Sequence, residues 1–318
     1  MSYHPARPMT KASAPGKIIL FGEHAVVYGR PALAVPVTQV HADVEVTDSP
    51  RAGIWIHAPD INLDAELNSL PSDHAVGAAV RSVFSALGVS PFPPLEIRIT
   101  STIPVASGLG SGAAVTVALI RALSSFTQSV HPLSFDEVNS LAYEIEKLHH
   151  GTPSGIDNTV VTYARPVYFV RGQPIETFKV GAPFTLVIAD TGISAPTKES
   201  VGDVRKLWEA DKPKWEKVFD EIGKIANEAR GAIERGKTKE LGPLMDSNHV
   251  LLQRLTVSSP ELDHLTEAAR SSGADGAKLS GGGRGGNLIA LVESEKAARV
   301  AEALLSAGAK RTIVTEIA

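Results

Sequence analysis

Four stretches of the chain concentrate the residue types that carry phosphate and acid–base chemistry. Residues 104–118, PVASGLGSGAAVTVA, set Gly108, Gly110 and Gly112 among serines directly ahead of a small-apolar run. Backbone N–H groups at a helix start, with glycines that let a ligand come close, make an anion cradle. A tight strand-to-helix connection would use the same residues for packing. The Walker pattern asks for Lys then Ser or Thr after its last glycine, where Ala113 and Ala114 stand, and the Rossmann spacing fails as well. Residues 278–287, KLSGGGRGGN, hold five glycines and Arg284. That is more backbone freedom than a turn needs, and it fits a chain wrapped closely around a ligand.

The other two stretches place charge where burial would make it costly. In APGKIILFGEHAVVYG (14–29), Lys17, Glu23 and His24 interrupt an apolar segment; polar groups there need partners or a function. In EKLHHGTPSGIDNTV (146–160), Glu146 stands near the end of a helical pattern and Asp157 falls in a Ser-Gly-Ile-Asp-Asn turn. Two carboxylates in a chain with a phosphate cradle suit metal binding and base catalysis. An Asx-turn alone would also account for Asp157.

Elements to position these residues follow from periodicity. Apolar runs at 17–28 and 32–37, separated by Gly-Arg-Pro, read as two strands, and 40–48 alternates as a third with 53–58 as its hairpin partner. Helical spacing over 72–87 ends at Gly88, and the strand over 95–104 runs straight into the first glycine cluster. Helices are expected over 113–126 and over 134–149, the latter opened by a Ser134/Glu137 capping box. Strands at 166–172 and 184–192 precede charged helical segments at 200–235 and 239–255. The remainder reads as helix 260–273, strands 277–280 and 287–293, helix 295–308 and a closing strand. The pattern is α+β, and 318 residues suit one large domain or two medium ones. The expected division is 1–180 and 181–318, within the weakly patterned stretch between 172 and 184.

Composition bounds the partners. A net charge of -4 argues against nucleic acid or an anionic membrane as the main partner. The absence of Cys removes disulfides, thiolate metal sites and a Cys nucleophile. The N-terminal residues lack the apolar core of a signal peptide, and no window approaches a membrane span, so a soluble cytoplasmic protein is expected.

Taken together, APGKIILFGEH (14–24), PVASGLGSGAA (104–114) and KLSGGGRGGN (278–287) resemble, in order, the three motifs of the GHMP kinases. Within that superfamily FGEHAVVYG (21–29), HGTPSGIDN (150–158) and IADTGISAPTK (188–198) are most similar to its mevalonate-phosphorylating branch. The resemblance implies a two-domain fold, ribosomal S5 domain 2-like at the N-terminus and a ferredoxin-like α/β sandwich at the C-terminus, with the active site between them. It implies a homodimer and ATP-dependent phosphorylation of the 5-hydroxyl of mevalonate, with Mg²⁺. Asp157 matches the residue that takes the hydroxyl proton, and Lys17 the lysine that accompanies it. Glu146 matches a Mg²⁺ ligand. Pro104, Ala106, Ser107, Gly108, Leu109, Gly110, Ser111, Gly112 and Ala113 match the ATP-phosphate loop. Glu23, His24, Thr197 and Lys198 match the mevalonate end. Gly112 departs from the family pattern, which places a metal-binding serine there, so the resemblance leaves the loop's Mg²⁺ position either to Ser111 or to a water. Phosphomevalonate or a sugar as acceptor, or a non-catalytic nucleotide sensor, are the competing readings.

Overall fold

The computed structural model describes residues 7–104, 107–127, 133–150, 154–174, 176–194 and 196–318. In chain order the elements are β1 (Thr10–Phe21), β2 (Ala32–Asp48), β3 (Ile54–Ala58), β4 (Leu63–Glu66), α1 (Ala75–Ala86), β5 (Leu95–Ser101), α2 (Ser111–Phe126), α3 (Phe135–His150) and α4 (Ile156–Tyr163). There follow β6 (Val167–Phe169), β7 (Glu176–Thr177), β8 (Phe184–Asp190), α5 (Thr197–Ala210), α6 (Lys212–Glu234), α7 (Leu241–Arg254), α8 (Pro260–Ser271), β9 (Gly276–Ser280), β10 (Asn287–Val292), α9 (Ala297–Ser306) and β11 (Arg311–Ile317). Among the described residues no helix is long and apolar enough to cross a membrane.

Three differences from expectation have local causes. The first strand stops at Phe21 because Gly22 turns the chain at φ +94, and Ala25–Tyr28 form a 3-10 turn instead of continuing it. The two runs at 32–37 and 40–48 are one strand, β2. The expected hairpin of 40–48 with 53–58 does not form: β5 pairs antiparallel with β2 (Val44 opposite Ile99) and parallel with β3 (Ile56 opposite Ile97). Leu95, Ile97 and Ile99 are all buried, which suits β5 to a central place with partners on both sides.

Packing divides the chain into two compact units, and not at a single point between residues 180 and 181. The first unit contains Val40–Pro104 and Gly110–Ala164, together with the chain up to Gly16; the second contains Lys17–Gln39, the segment ending at Leu109, and Arg165–Ala318. The reason is visible in the apolar pattern: Ala25 is fully buried in the same core as Phe219, Leu252 and Leu279. Strands β1 and β2 each belong partly to both units.

In the first unit the strand order is β4-β3-β5-β2, with α1, α2, α3 and α4 packed among themselves. Helix α3 opens on the expected capping box: Glu137 N–H donates to Ser134 Oγ at 3.3 Å and Ser134 N–H to Glu137 Oε2 at 2.8 Å. In the second unit Ala32–Ala34 of β2 pair with β6, and β6 with β7. A separate antiparallel sheet runs β11-β8-β10-β9. All seven residues of β8 are buried, as its apolar run Leu186–Ala189 suits a central strand.

Candidate active site

Within the second unit, three stretches far apart in sequence are bonded to one another. The backbone N–H of Lys17 donates to Leu109 O at 2.9 Å, fixing the first glycine loop to β1. Ser280 Oγ donates to Ile19 O at 2.8 Å, and Asn287 Nδ2 donates to Ser107 O, so both stems of the third glycine loop grip the other two motifs. His24 Nε2 bonds Gly282 O at 3.1 Å, and Lys278 Nζ bonds Glu23 Oε1. A fourth stretch joins them: Thr191 donates to Gly286 O through both its N–H and its Oγ1, at 2.9 and 3.0 Å.

The first glycine loop has the geometry of an anion cradle. Gly108 and Gly110 both adopt φ +77, and Gly110, the N-cap of sixteen-residue α2, has no side chain of its own to cap the first-turn N–H groups. Those donors and the helix dipole favour a negative ligand. Ser107, Leu109 and Ala113 are buried, Pro104, Gly110 and Ser111 half-buried, and Gly108 and Gly112 exposed. A Cβ on Gly112 would meet nothing within 4 Å, so the position has room for the serine usual in the family. Ala106 and residues 151–153 lie outside the described residues.

The third loop uses its glycines differently from the expectation of a chain wrapped only around a ligand. A Cβ on Gly283 would come within 1.9 Å of Val257 O, and one on Gly285 within 2.5 Å of Ile193 O. These two are required by the protein's own backbone. Gly281 and Gly286 face open space.

Asp157 lies not in a turn but in the first turn of α4, where the helix dipole favours a carboxylate. Its helix is held by neighbours on either side of the chain. Asn158 Nδ2 donates to Asn139 Oδ1 at 2.6 Å, and Thr159 Oγ1 donates to Gly155 O at 2.6 Å. Glu146 is seven residues beyond Asn139 on α3, hence on the same helix face, and both are buried. Asp157 is half-buried. Asp157 and Glu146 thus belong to the first unit, whereas Lys17, Glu23, His24, Thr197 and Lys198 belong to the second. Thr197 and Lys198 are exposed in the first turn of α5.

Two residues with a structural claim on the site were not singled out from sequence. Lys278 is fully buried, with its ammonium on Glu23 and on Leu279 O at 2.6 Å. Burial pushes the Glu23 carboxyl up and the Lys278 amine down, each opposed by the partner's charge. The signal was the one used for Lys17, a lysine inside a short apolar strand. Asn287 carried none, because an Asn after glycines reads as the end of a turn.

His24 is buried at φ 60, and its environment decides its protonation. A carbonyl can only accept, so Nε2 carries the proton toward Gly282 O, and Nδ1 is left as a buried acceptor without a hydrogen-bond partner among the described residues. Burial pushes its pKa down to about 4. Above about pH 6.5 the imidazole is neutral in folded and unfolded chains alike. Below that the unfolded chain takes up a proton that the folded one refuses until about pH 4. Acidification through this window should cost about 3 kcal/mol. Urea unfolding at pH 7, 6, 5 and 4 should show His24→Asn, whose side chain tolerates the left-handed backbone, losing that much less than the parent. Equal losses would assign the acid sensitivity elsewhere.

Similarity to known proteins runs over nearly the whole chain. The family model described as GHMP kinases N terminal domain matches residues 74–165, and GHMP kinases C terminal matches 229–310. The mevalonate kinase of Pyrococcus abyssi is 37% identical over 93% of this chain and 92% of its own. That of Saccharolobus solfataricus is 36% identical over 90% and 92%. Among solved structures, L. major mevalonate kinase in complex with R-mevalonate superposes with a TM-score of 0.87 at 30% identity, covering 98% of this chain and 96% of that one. Methanococcus jannaschii mevalonate kinase gives 0.82 at 27% identity, covering 99% and 98%.

Proposed function

The chain belongs to the GHMP kinases, and from that membership we propose that it transfers the γ-phosphoryl group of ATP to the 5-hydroxyl of mevalonate, forming 5-phosphomevalonate. The observation that carries this reading is the bonded set of motif segments: β1 with Lys17, the Glu23–His24 turn that follows it, the first glycine loop, and the third. Phosphoryl transfer asks a protein chiefly for positioning and for charge complementarity at the transferring group. A set of loops fixed to one another by hydrogen bonds supplies the first, and lysine and helix N–H groups the second.

In this reading Asp157 accepts the hydroxyl proton and Lys17 supplies positive charge to the transferring phosphoryl group. The loop from Pro104 to Ala113, Ala106 included, contacts the ATP phosphates. Mg²⁺, when bound, neutralises charge on the phosphate oxygens. Among the described residues no group of three or more His, Asp or Glu could hold a metal. That fits an ion held by one or two protein oxygens, phosphates and water; Glu146 and Ser111 would provide them, Gly112 having no side chain to offer. His24, its donor spent on Gly282, serves the mevalonate end by tying the turn after β1 to the third glycine loop. Glu23 serves the mevalonate end by holding Lys278, and Thr197 and Lys198 close over that end. The enzyme works as a cytoplasmic homodimer.

ADP release across a panel of mevalonate, phosphomevalonate, homoserine and galactose tests the reading. Turnover is expected with mevalonate alone, and chelation of Mg²⁺ should abolish it. Silence with mevalonate while another acceptor turns over would end it. Sedimentation of the purified enzyme checks the dimer.

A further inference from the structure

Arg284 occupies a backbone conformation that disfavours side chains, φ +59, in a loop whose other residues are all glycine. A disfavoured conformation persists where surrounding contacts fix it, and it points to a local role. Its contacts leave the loop in two directions. The backbone N–H donates to Val257 O at 2.7 Å and Nε to Thr256 O at 3.3 Å, both in the connection between α7 and α8. Nη1 donates to Asp203 Oδ2 at 2.6 Å, on the second turn of α5. Asp203 Oδ1 in turn accepts from Lys206 at 2.8 Å. The loop also meets the first turn of α5: a Cβ on Gly282 would fall 2.8 Å from Thr197 Oγ1. The guanidinium is therefore engaged with protein on two sides, one of them the helix that begins with Thr197 and Lys198.

We propose that Arg284 is a positioning residue that holds α5 against the third glycine loop, so that the first turn of α5 sets affinity for the acceptor substrate and not for the nucleotide. The inference rests on the reading above that Thr197 and Lys198 close over mevalonate. An ion pair whose side chains are 33% and 39% exposed contributes little to global stability. Its effect is confined to the placement of the helix start, and losing contacts made alike in the ground and transition states raises KM without lowering kcat.

Arg284→Gly installs the residue that the local backbone favours, so folding is secure and the melting temperature should hold or rise. KM for mevalonate should rise about tenfold, with kcat and KM for ATP within about twofold. Asp203→Asn should reproduce the effect, and the double variant should exceed neither single one, because both remove the same contact. Arg284→Lys, which keeps the charge facing Asp203, should recover most of the affinity. Unchanged KM for mevalonate in both single variants, or additive effects, would overturn the proposal. A rise confined to KM for ATP would also overturn it and make Arg284 a nucleotide contact. The parent enzyme is assayed first; failure of the parent to phosphorylate mevalonate counts against the functional reading, not against the clamp.

Discussion

Asp157→Asn is expected to lower kcat by about 10² to 10⁴ while KM for ATP stays within about twofold. The expectation follows from what the substitution changes and what it leaves. Asn matches Asp in shape and can still occupy the first turn of α4, but it cannot accept a proton at neutral pH. Asn158 ties the helix to α3 through Asn139, in the parent and the variant alike. The variant should therefore melt with the parent and bind nucleotide as the parent does. Single-turnover kinetics with saturating ATP isolate the chemical step. A rate retained within about tenfold would reduce Asp157 to an anchor for the acceptor hydroxyl, since a positioned base contributes at least about 10².

The other large effect concerns the Glu23–Lys278 pair, both members of which are buried. Removing one member of a buried pair strands the other's charge, a loss of about 3–5 kcal/mol, whereas replacing both with apolar groups of similar size is close to neutral. Lys278→Met and Glu23→Leu should each lower stability to urea by about that amount. The double variant should recover most of it, because neither charge is left alone. Activity separates structure from function here. The double variant should stay folded yet lose affinity for substrate, since the third loop and the Glu23–His24 turn are no longer tied at this point. Additive destabilisation would mean that the two side chains do not act as a pair.

Much of this was legible in the residues. The Ser134/Glu137 box and the stop at Gly88 were readable because caps and left-handed glycines act over three or four residues. The three glycine-rich motifs were readable as a set because each departs from what a turn needs. Helix α4 was not, because it spans only eight residues and follows a left-handed Gly155, which reads locally as a turn. The place of β5 between β2 and β3 was not, because alternation gives the face of a strand and not its neighbour. The role of Glu23 was only half visible: a buried acid announces a partner, but the partner lies 255 residues away. From sequence Arg284 was one side chain among five glycines, and only the position of Asp203 gives it an occupation.

Those separations bear on how the protein is made. Ser107 meets Asn287 across 180 residues, Glu23 meets Lys278 across 255, His24 meets Gly282 across 258 and Ile19 meets Ser280 across 261. A nascent chain emerging from the ribosome therefore carries Ile19, Glu23 and His24 for most of its synthesis with none of these partners yet available. Contacts of such range are the last whose loop-closure entropy is repaid, so the catalytic assembly completes late, after the local helices have formed. A ribosome stalled before β9 would release a chain with every helix of the first unit encoded and no competent site.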